Sequence, residues 1–254
     1  RSFDEFYRSN VTGTMNLVQA MKELKITKLV YTSTPSVVFG KDDIFLGDES
    51  LPYPENFLTH YAHTKKIAEE FVMNSCNENF YALSLRPHLI FGPGDLNLIP
   101  RMIEARKKDR IKIVGNGKNL VDVIYVENAA IAHLNALKKI GPNLTKKCYF
   151  IGQGPVNLWT FTNEVLKHYQ LPAIDKKISL TLAYAIGLFI EFILKILCLN
   201  NVHPPMSRFI ALQLGKSHYF SHKNAIADLG EYEKVTIQAG IKKLLIHNHT
   251  SRHP

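Results

Sequence analysis

The sequence predicts an α/β fold: a Rossmann-like, doubly wound parallel sheet with a smaller C-terminal lobe. Three observations predict it. Short apolar runs of strand length alternate with stretches of helical periodicity. The first strand candidate ends in small polar residues and the second in Pro, as strands feeding loops do. Hydrophobic residues make up 46% of the 254 and charged residues 21%, enough apolar material for a large core and too little charge for a disordered chain.

Phe6 to Leu24 is predicted as a helix, because Val11, Thr14, Met15, Val18 and Met21 recur at helical spacing. Gly13 inside it costs about 1 kcal/mol relative to Ala, which predicts close packing against another backbone. Lys28 to Thr32 is a buried strand feeding a loop, and Gly40 to Asn56 is turn-rich, with Pro52 and Pro54. A long helix follows from His60 to Asn77, then a strand from Tyr81 to Arg86 stopped by Pro87, and a loop from Phe91 to Asp95. Ile99 to Lys107 reads as helix, Ile111 to Val114 and Val121 to Val126 as strands, Asn128 to Lys139 as helix and Lys147 to Ile151 as strand. Trp159 to Tyr169 is a helix capped by Asn157. The end of the chain adds a strand from His218 to Phe220 and helices from Asn224 to Leu229 and Thr236 to Ile246.

Ile178 to Leu199 is the most apolar stretch. A membrane span needs roughly 20 predominantly apolar residues. This stretch has that length, but holds Gly187 and two charges, Glu191 and Lys195, spaced to pair on one helix face. A lobe-packing helix pair, an interfacial membrane helix and a span all remain open.

The formal charge is +9, with basic residues spread in short pairs such as Lys65-Lys66 and Lys242-Lys243. That is a solvated basic surface; no nucleic-acid-reading motif accompanies it, so no nucleic acid is expected. Cys76, Cys148 and Cys198 are isolated and lack metal-type spacing, so no metal site and a reducing compartment are expected. The Asn248-His249-Thr250 triplet and the terminal His247, His249 and His253 read as a frayed polar end. The first residues are charged and helix-like, with no signal peptide.

Chemistry concentrates at Tyr61-Ala62-His63-Thr64-Lys65, where Tyr and Lys four apart share a helix face. A free Tyr has a pKa of about 10 and is a poor base at neutral pH. A nearby lysine cation favours the phenolate and so makes Tyr a usable acid/base for an alcohol oxygen. Taken alone, such a spacing is more often a surface helix. Upstream lies Thr32-Ser33-Thr34 at a strand end, where doubly wound folds bind ligands and a hydroxyl can bond a reacting carbonyl.

With these residues the sequence resembles the extended short-chain dehydrogenases/reductases, in their 3β-hydroxysteroid dehydrogenase branch, and within it the decarboxylating sterol-4-alpha-carboxylate dehydrogenases. The matching runs are NVTGTMNLV from Asn10, LVYTSTPSVVFG from Leu29, YAHTKKIAEEFV from Tyr61, LRPHLIFGPGD from Leu85, GNGKNLVDVIYVENAA from Gly115 and WTF from Trp159. The resemblance implies Tyr61, Lys65 and Thr34 as catalytic residues and Asn10 as the helix residue that holds the proton-relay geometry. It implies NAD or NADP as cofactor, held by Tyr61, Lys65, Thr32, Ser33, Pro87, His88 and Leu89, with the Arg86-Pro87 backbone against the nicotinamide end. Nucleotide-sugar members usually carry an Arg before the Asp of the later strand; here Val121 precedes Asp122, which points to an apolar substrate.

No glycine-rich dinucleotide loop is found: Gly115-Asn116-Gly117 lacks a third Gly and precedes a strand. The family's opening βαβαβ half, on the order of 80 residues, is therefore expected upstream of Arg1, and weak cofactor binding is expected of this chain by itself. The organisation expected is a partial dinucleotide-binding domain over 1–94, joined by 121–151, and a substrate lobe over 95–254 that holds the apolar segment 178–199. The function expected is oxidation or reduction of a 3β-hydroxyl or 3-keto group on a sterol-like substrate, with decarboxylation where a 4-carboxylate is present. The alternatives are the same chemistry on a long-chain β-hydroxy or β-keto acid or another apolar alcohol, and a non-catalytic, Rossmann-like binding protein. Peripheral membrane contact on the cytoplasmic side, on endoplasmic reticulum or lipid droplet in a eukaryote, and a homodimer complete the expectations.

Overall fold

The computed structural model describes residues 2–197, 199 and 204–250, with side chains as far as 244. Cys198, His253 and the side chains of His247, Asn248 and His249 lie outside the described residues.

The first helical run is continuous: α1 (Phe3–Phe6), a π-helical turn (Tyr7–Thr12) and α2 (Gly13–Glu23). It starts earlier than its periodicity predicts, because Ser2 and Glu5 form a reciprocal capping box. β1 (Lys28–Thr32) follows, then β2 (Ile44–Gly47) inside the turn-rich stretch, and α3 (His60–Asn74), capped by Thr59. Next come β3 (Tyr81–Pro87), β4 (Leu89–Phe91), α4 (Leu98–Lys107), β5 (Ile113–Val114), β6 (Leu120–Tyr125) and α5 (Val126–Lys139). β7 (Lys147–Ile151), β8 (Pro155–Asn157), α6 (Leu158–His168), β9 (Lys177–Ile178) and α7 (Leu180–Ile196) continue the chain. It closes with α8 (Arg208–Gly215), β10 (His218–Phe220), α9 (Lys223–Leu229) and α10 (Ile237–Thr250). Asn157 caps α6 as predicted, accepting from Trp159 and Thr160 amides.

The first sheet is parallel, in the order β1-β3-β7. β3 is buried along nearly its whole length, as a central strand covered on both faces must be. Its alternation assigns the faces. Leu83 and Leu85 join α5 and α9 in one core, with Ala132, Ala136 and Leu229. Ala82 joins Val11, Val18, Ala68 and Val72 in the core under α2 and α3. Helices on both faces of a parallel sheet make the doubly wound α/β layer the sequence predicts.

A second sheet runs β2-β10-β6-β4, with β8 antiparallel on β6; β5 and β9 form a separate pair. Its main core gathers Phe91, Val121, Val123, Trp159, Phe161 and Ala183. Of the 121–151 segment expected to extend the first sheet, only β7 does so; β6 pairs with β4, β10 and β8. The chain crosses between the sheets at Pro87-His88-Leu89: Pro87 pairs with Ile151 and Leu89 with Val123.

The apolar stretch forms one helix, α7, packed on α8. Gly187 makes this possible, since a Cβ there would lie 2.5 Å from the Ser207 carbonyl carbon. Glu191 does not pair with Lys195 as expected. It takes the Arg208 guanidinium at 2.6 Å and the Arg208 amide at 2.8 Å, because α8 brings a better donor to it. No helix among the described residues is long and apolar enough to cross a membrane.

Candidate active site

Three pieces of chain meet at the C-terminal edge of β1 and β3. Beyond Thr32 the Ser33 amide donates to the Leu85 carbonyl at 2.7 Å, which keeps the chain on the sheet for one more residue. Thr34 then caps a short 3-10 turn, Pro35–Val37, accepting from the Ser36 amide. This turn is what presents the Thr34 hydroxyl, with Thr34 itself buried. Tyr61 sits in the first turn of α3, with the Thr34 side chain as a polar neighbour. Burial pushes the Tyr61 phenol up, and the Thr34 hydroxyl works against that shift. The residue remains 37% exposed, so its ring borders open space.

Lys65 lies one turn further along α3, but its ammonium does not serve Tyr61 as the spacing suggests. Nζ donates to the Tyr31 hydroxyl and to the Thr32 carbonyl, both at 2.7 Å, and lies 4.1 Å from the centre of the Tyr31 ring. Burial lowers its pKa to about 8, opposed by the Glu69 carboxylate. An ammonium has three N–H groups, and two are committed here.

Asn10 lies in the π-helical turn and touches neither Tyr61 nor Lys65 by hydrogen bond. Its Nδ2 donates to Thr64 Oγ1 at 3.0 Å, and its carbonyl accepts from Thr14 Oγ1 at 2.6 Å. It therefore ties the first helix to α3 midway between the pair. The close packing predicted for neighbouring Gly13 is not found: a Cβ there meets only Arg8 O, at 3.7 Å. Gly13 instead ends the π-helical turn, its amide bonding Arg8 O five residues back.

Of the other predicted cofactor residues, Thr32 offers its carbonyl to Lys65 and its hydroxyl to His133 Nε2 at 2.9 Å. Ser33 is buried beside Glu69. His88 Nε2 lies 2.6 Å from His218 Nδ1, and the rings stack at 4.7 Å. His218 Nε2 meets the Gln213 carbonyl, which can only accept. His218 must donate there, so in the neutral ring its Nδ1 is the acceptor and His88 Nε2 the donor. Burial, with the nearby His218 and His222, holds His88 well below its usual pKa. The pair joins the sheet crossing to the C-terminal lobe.

Arg86 is turned inward rather than into the site. It pairs with Glu69, and Tyr53 and Ser84 donate to the same carboxylate at 2.8 and 2.7 Å. Sequence reasoning missed Tyr31, Tyr53, Glu69 and His218. Two carried a signal: Glu69 follows Lys65 by another helical turn, and Tyr31 alternates with Thr32 on the strand. Among the described residues no His, Cys, Asp and Glu group is arranged to hold a metal.

The model of the 3-beta hydroxysteroid dehydrogenase/isomerase family matches residues 1–182. The chain is 39% identical over 248 residues to 2-alkyl-3-oxoalkanoate reductase of Stenotrophomonas maltophilia, covering 96% of this chain and 75% of that protein. It is 34% identical over 248 residues to the decarboxylating sterol-4-alpha-carboxylate 3-dehydrogenase of Homo sapiens, covering 94% and 66%. In fold it is similar to the crystal structure of gox2253, with a TM-score of 0.76, 21% identity, and 100% and 76% of the two chains covered. It is also similar to UDP-glucuronic acid 4-epimerase from Bacillus cereus in complex with NAD, with a TM-score of 0.66, 18% identity, and 95% and 67% covered.

Proposed function

The chain belongs to the 3-beta hydroxysteroid dehydrogenase/isomerase family, and from that premise we propose that its protein interconverts a secondary alcohol and a ketone on an apolar 3-hydroxy or 3-oxo acid. The names of the two relatives share this chemistry: in a sterol 4-carboxylate and in a 2-alkyl-3-oxoalkanoate, the reacting carbon lies β to a carboxylate. Sterol and alkyl chain differ as apolar bodies and agree at the reacting end.

The observation that carries the proposal is the placement of the Thr34 side chain beside Tyr61 at the C-terminal edge of the sheet, with Lys65 one turn away. When bound, a nicotinamide cofactor supplies the hydride acceptor or donor. The donor set fits it: Lys65 keeps an N–H beyond the two it gives to Tyr31 and Thr32, suited to a ribose hydroxyl. In reduction, Tyr61 hands its hydroxyl proton to the ketone oxygen, and Thr34 orients that oxygen. In oxidation the phenolate of Tyr61 takes the alcohol proton. Burial raises the Tyr61 pKa, which favours the phenol, the form that serves reduction. Where oxidation leaves a ketone β to a carboxylate, loss of CO2 follows with little help from the protein.

Val121 supports an apolar over a nucleotide-sugar substrate. It is fully buried in the second sheet, where a cation gripping a diphosphate has no room. The outer face of α7 carries exposed Leu182, Phe189, Phe192 and Ile196, which suits peripheral contact with a lipid surface from which apolar substrates come. The proposal is tested by following nicotinamide absorbance with the intact protein. A 2-alkyl-3-oxoalkanoate, a 3β-hydroxysterol 4-carboxylate and a UDP-sugar are supplied in turn, with NAD(H) and with NADP(H). Turnover of one or both acids is expected, and turnover of the UDP-sugar alone would overturn it.

A further inference from the structure

Polar contacts run from Lys65 away from the reacting groups. Lys65 Nζ donates to Tyr31 Oη at 2.7 Å, Thr14 is a polar neighbour of the Tyr31 hydroxyl, and Thr14 Oγ1 donates to the Asn10 carbonyl at 2.6 Å. An ammonium can only donate, so what the Tyr31 oxygen offers Lys65 is a lone pair. The π-helical turn sets the far end, and the same Asn10 holds Thr64, the residue before Lys65, through its side-chain amide.

We infer that Tyr31 is a positioning residue for Lys65: a neutral acceptor that holds the ammonium against the end of β1. Tyr31 is nearly buried, 9% exposed, and its ring lies under the same ammonium. Two features of one side chain thus favour the cation: the hydroxyl lone pair and the ring face. Burial pushes the Tyr31 phenol well up, so it stays neutral while Lys65 titrates. The ionisable groups that act on Lys65 or on its acceptor are Tyr31 on β1 and Tyr61 and Glu69 on α3, and Glu69 is itself clamped by Arg86 of β3. Burial disfavours the ammonium, and Glu69 and Tyr31 oppose it.

The inference draws its catalytic meaning from the proposed function, but its test does not need activity. The reactivity of Lys65 is measured by competitive acylation with acetic anhydride across pH, read on the Lys65 peptide by mass spectrometry. The wild-type midpoint is expected near 8. Tyr31→Phe keeps the ring and removes the acceptor, so the midpoint is expected to fall by about one pH unit. Labelling at pH 7 then rises by roughly fivefold. Thr14→Val removes the polar neighbour of the Tyr31 hydroxyl and so weakens the orientation of its lone pair, and a smaller fall is expected; this variant serves where Tyr31→Phe does not fold. An unmoved midpoint in a folded variant overturns the inference, even in an active enzyme. A wild-type protein that turns over none of the three substrates would overturn the proposed function and leave a shifted midpoint standing.

Discussion

Arg86 meets Glu69 in a two-pronged ion pair: Nε donates to one carboxylate oxygen at 3.0 Å and Nη2 to the other at 2.6 Å. Glu69 is 0% exposed and Arg86 4%. Burying two charges is costly unless their hydrogen bonds are met, and Ser84 and Tyr53 also donate to the carboxylate. Because Glu69 lies one turn beyond Lys65 and Arg86 just before the sheet crossing, the pair fixes the catalytic helix against β3.

Removing one partner leaves the other charged and buried. Glu69→Gln is expected to destabilise the protein by about 3–5 kcal/mol, measured by denaturant unfolding. The double replacement Glu69→Leu with Arg86→Met is expected to cost less than the single change. A loss below about 1 kcal/mol in Glu69→Gln would show that the pair does not anchor α3.

The same pair predicts an acid limb. Burial would push the Glu69 carboxyl up, but the Arg86 guanidinium and the Ser84 hydroxyl outweigh it and hold it below its ordinary value of 4.5. A carboxyl depressed in the folded state contributes stability that is fully present above its unfolded pKa. That stability is lost as pH falls through the lower, folded value. Thermal unfolding temperature should therefore drop below pH 4.5, and drop less steeply in Glu69→Gln. Equal acid slopes would contradict the assignment.

Thr34 is expected to act through its hydroxyl and not its bulk. Thr34→Val should lower kcat/KM by roughly tenfold to a hundredfold, and Thr34→Ser should restore most of it. Retained rate in the valine variant would remove Thr34 from the chemistry.

The exposed face of α7 predicts lipid attachment. The protein should float with anionic phospholipid vesicles, and Phe189→Glu with Phe192→Glu should abolish flotation without changing the unfolding temperature. Equal flotation of wild type and variant would assign this face to something other than lipid.

Long elements were legible because periodicity over a dozen residues is an intrinsic signal; α3, β3 and β7 follow it closely. β2, β4, β8 and β9 were not, being two to four residues long and defined by partners distant in sequence. The π-helical turn breaks no apolar pattern and so left no trace. At the site, the Thr34 side chain neighbours Tyr61. Lys65 was placed by spacing and motif, and neither shows where a flexible ammonium finds acceptors; Tyr31 and Thr32 decide that. Arg86 looked like a residue of the site, and burial beside Glu69 turned it into a strut.

The central claim, that Tyr61 moves the proton in hydride transfer at a carbonyl, is tested most directly by Tyr61→Phe in the intact protein. Reduction of a 2-alkyl-3-oxoalkanoate is followed with reduced cofactor at saturating concentration. The hydroxyl is removed and the ring is kept, so binding should persist while kcat falls by at least about 10². A phenylalanine variant turning over at near the wild-type rate would contradict the account.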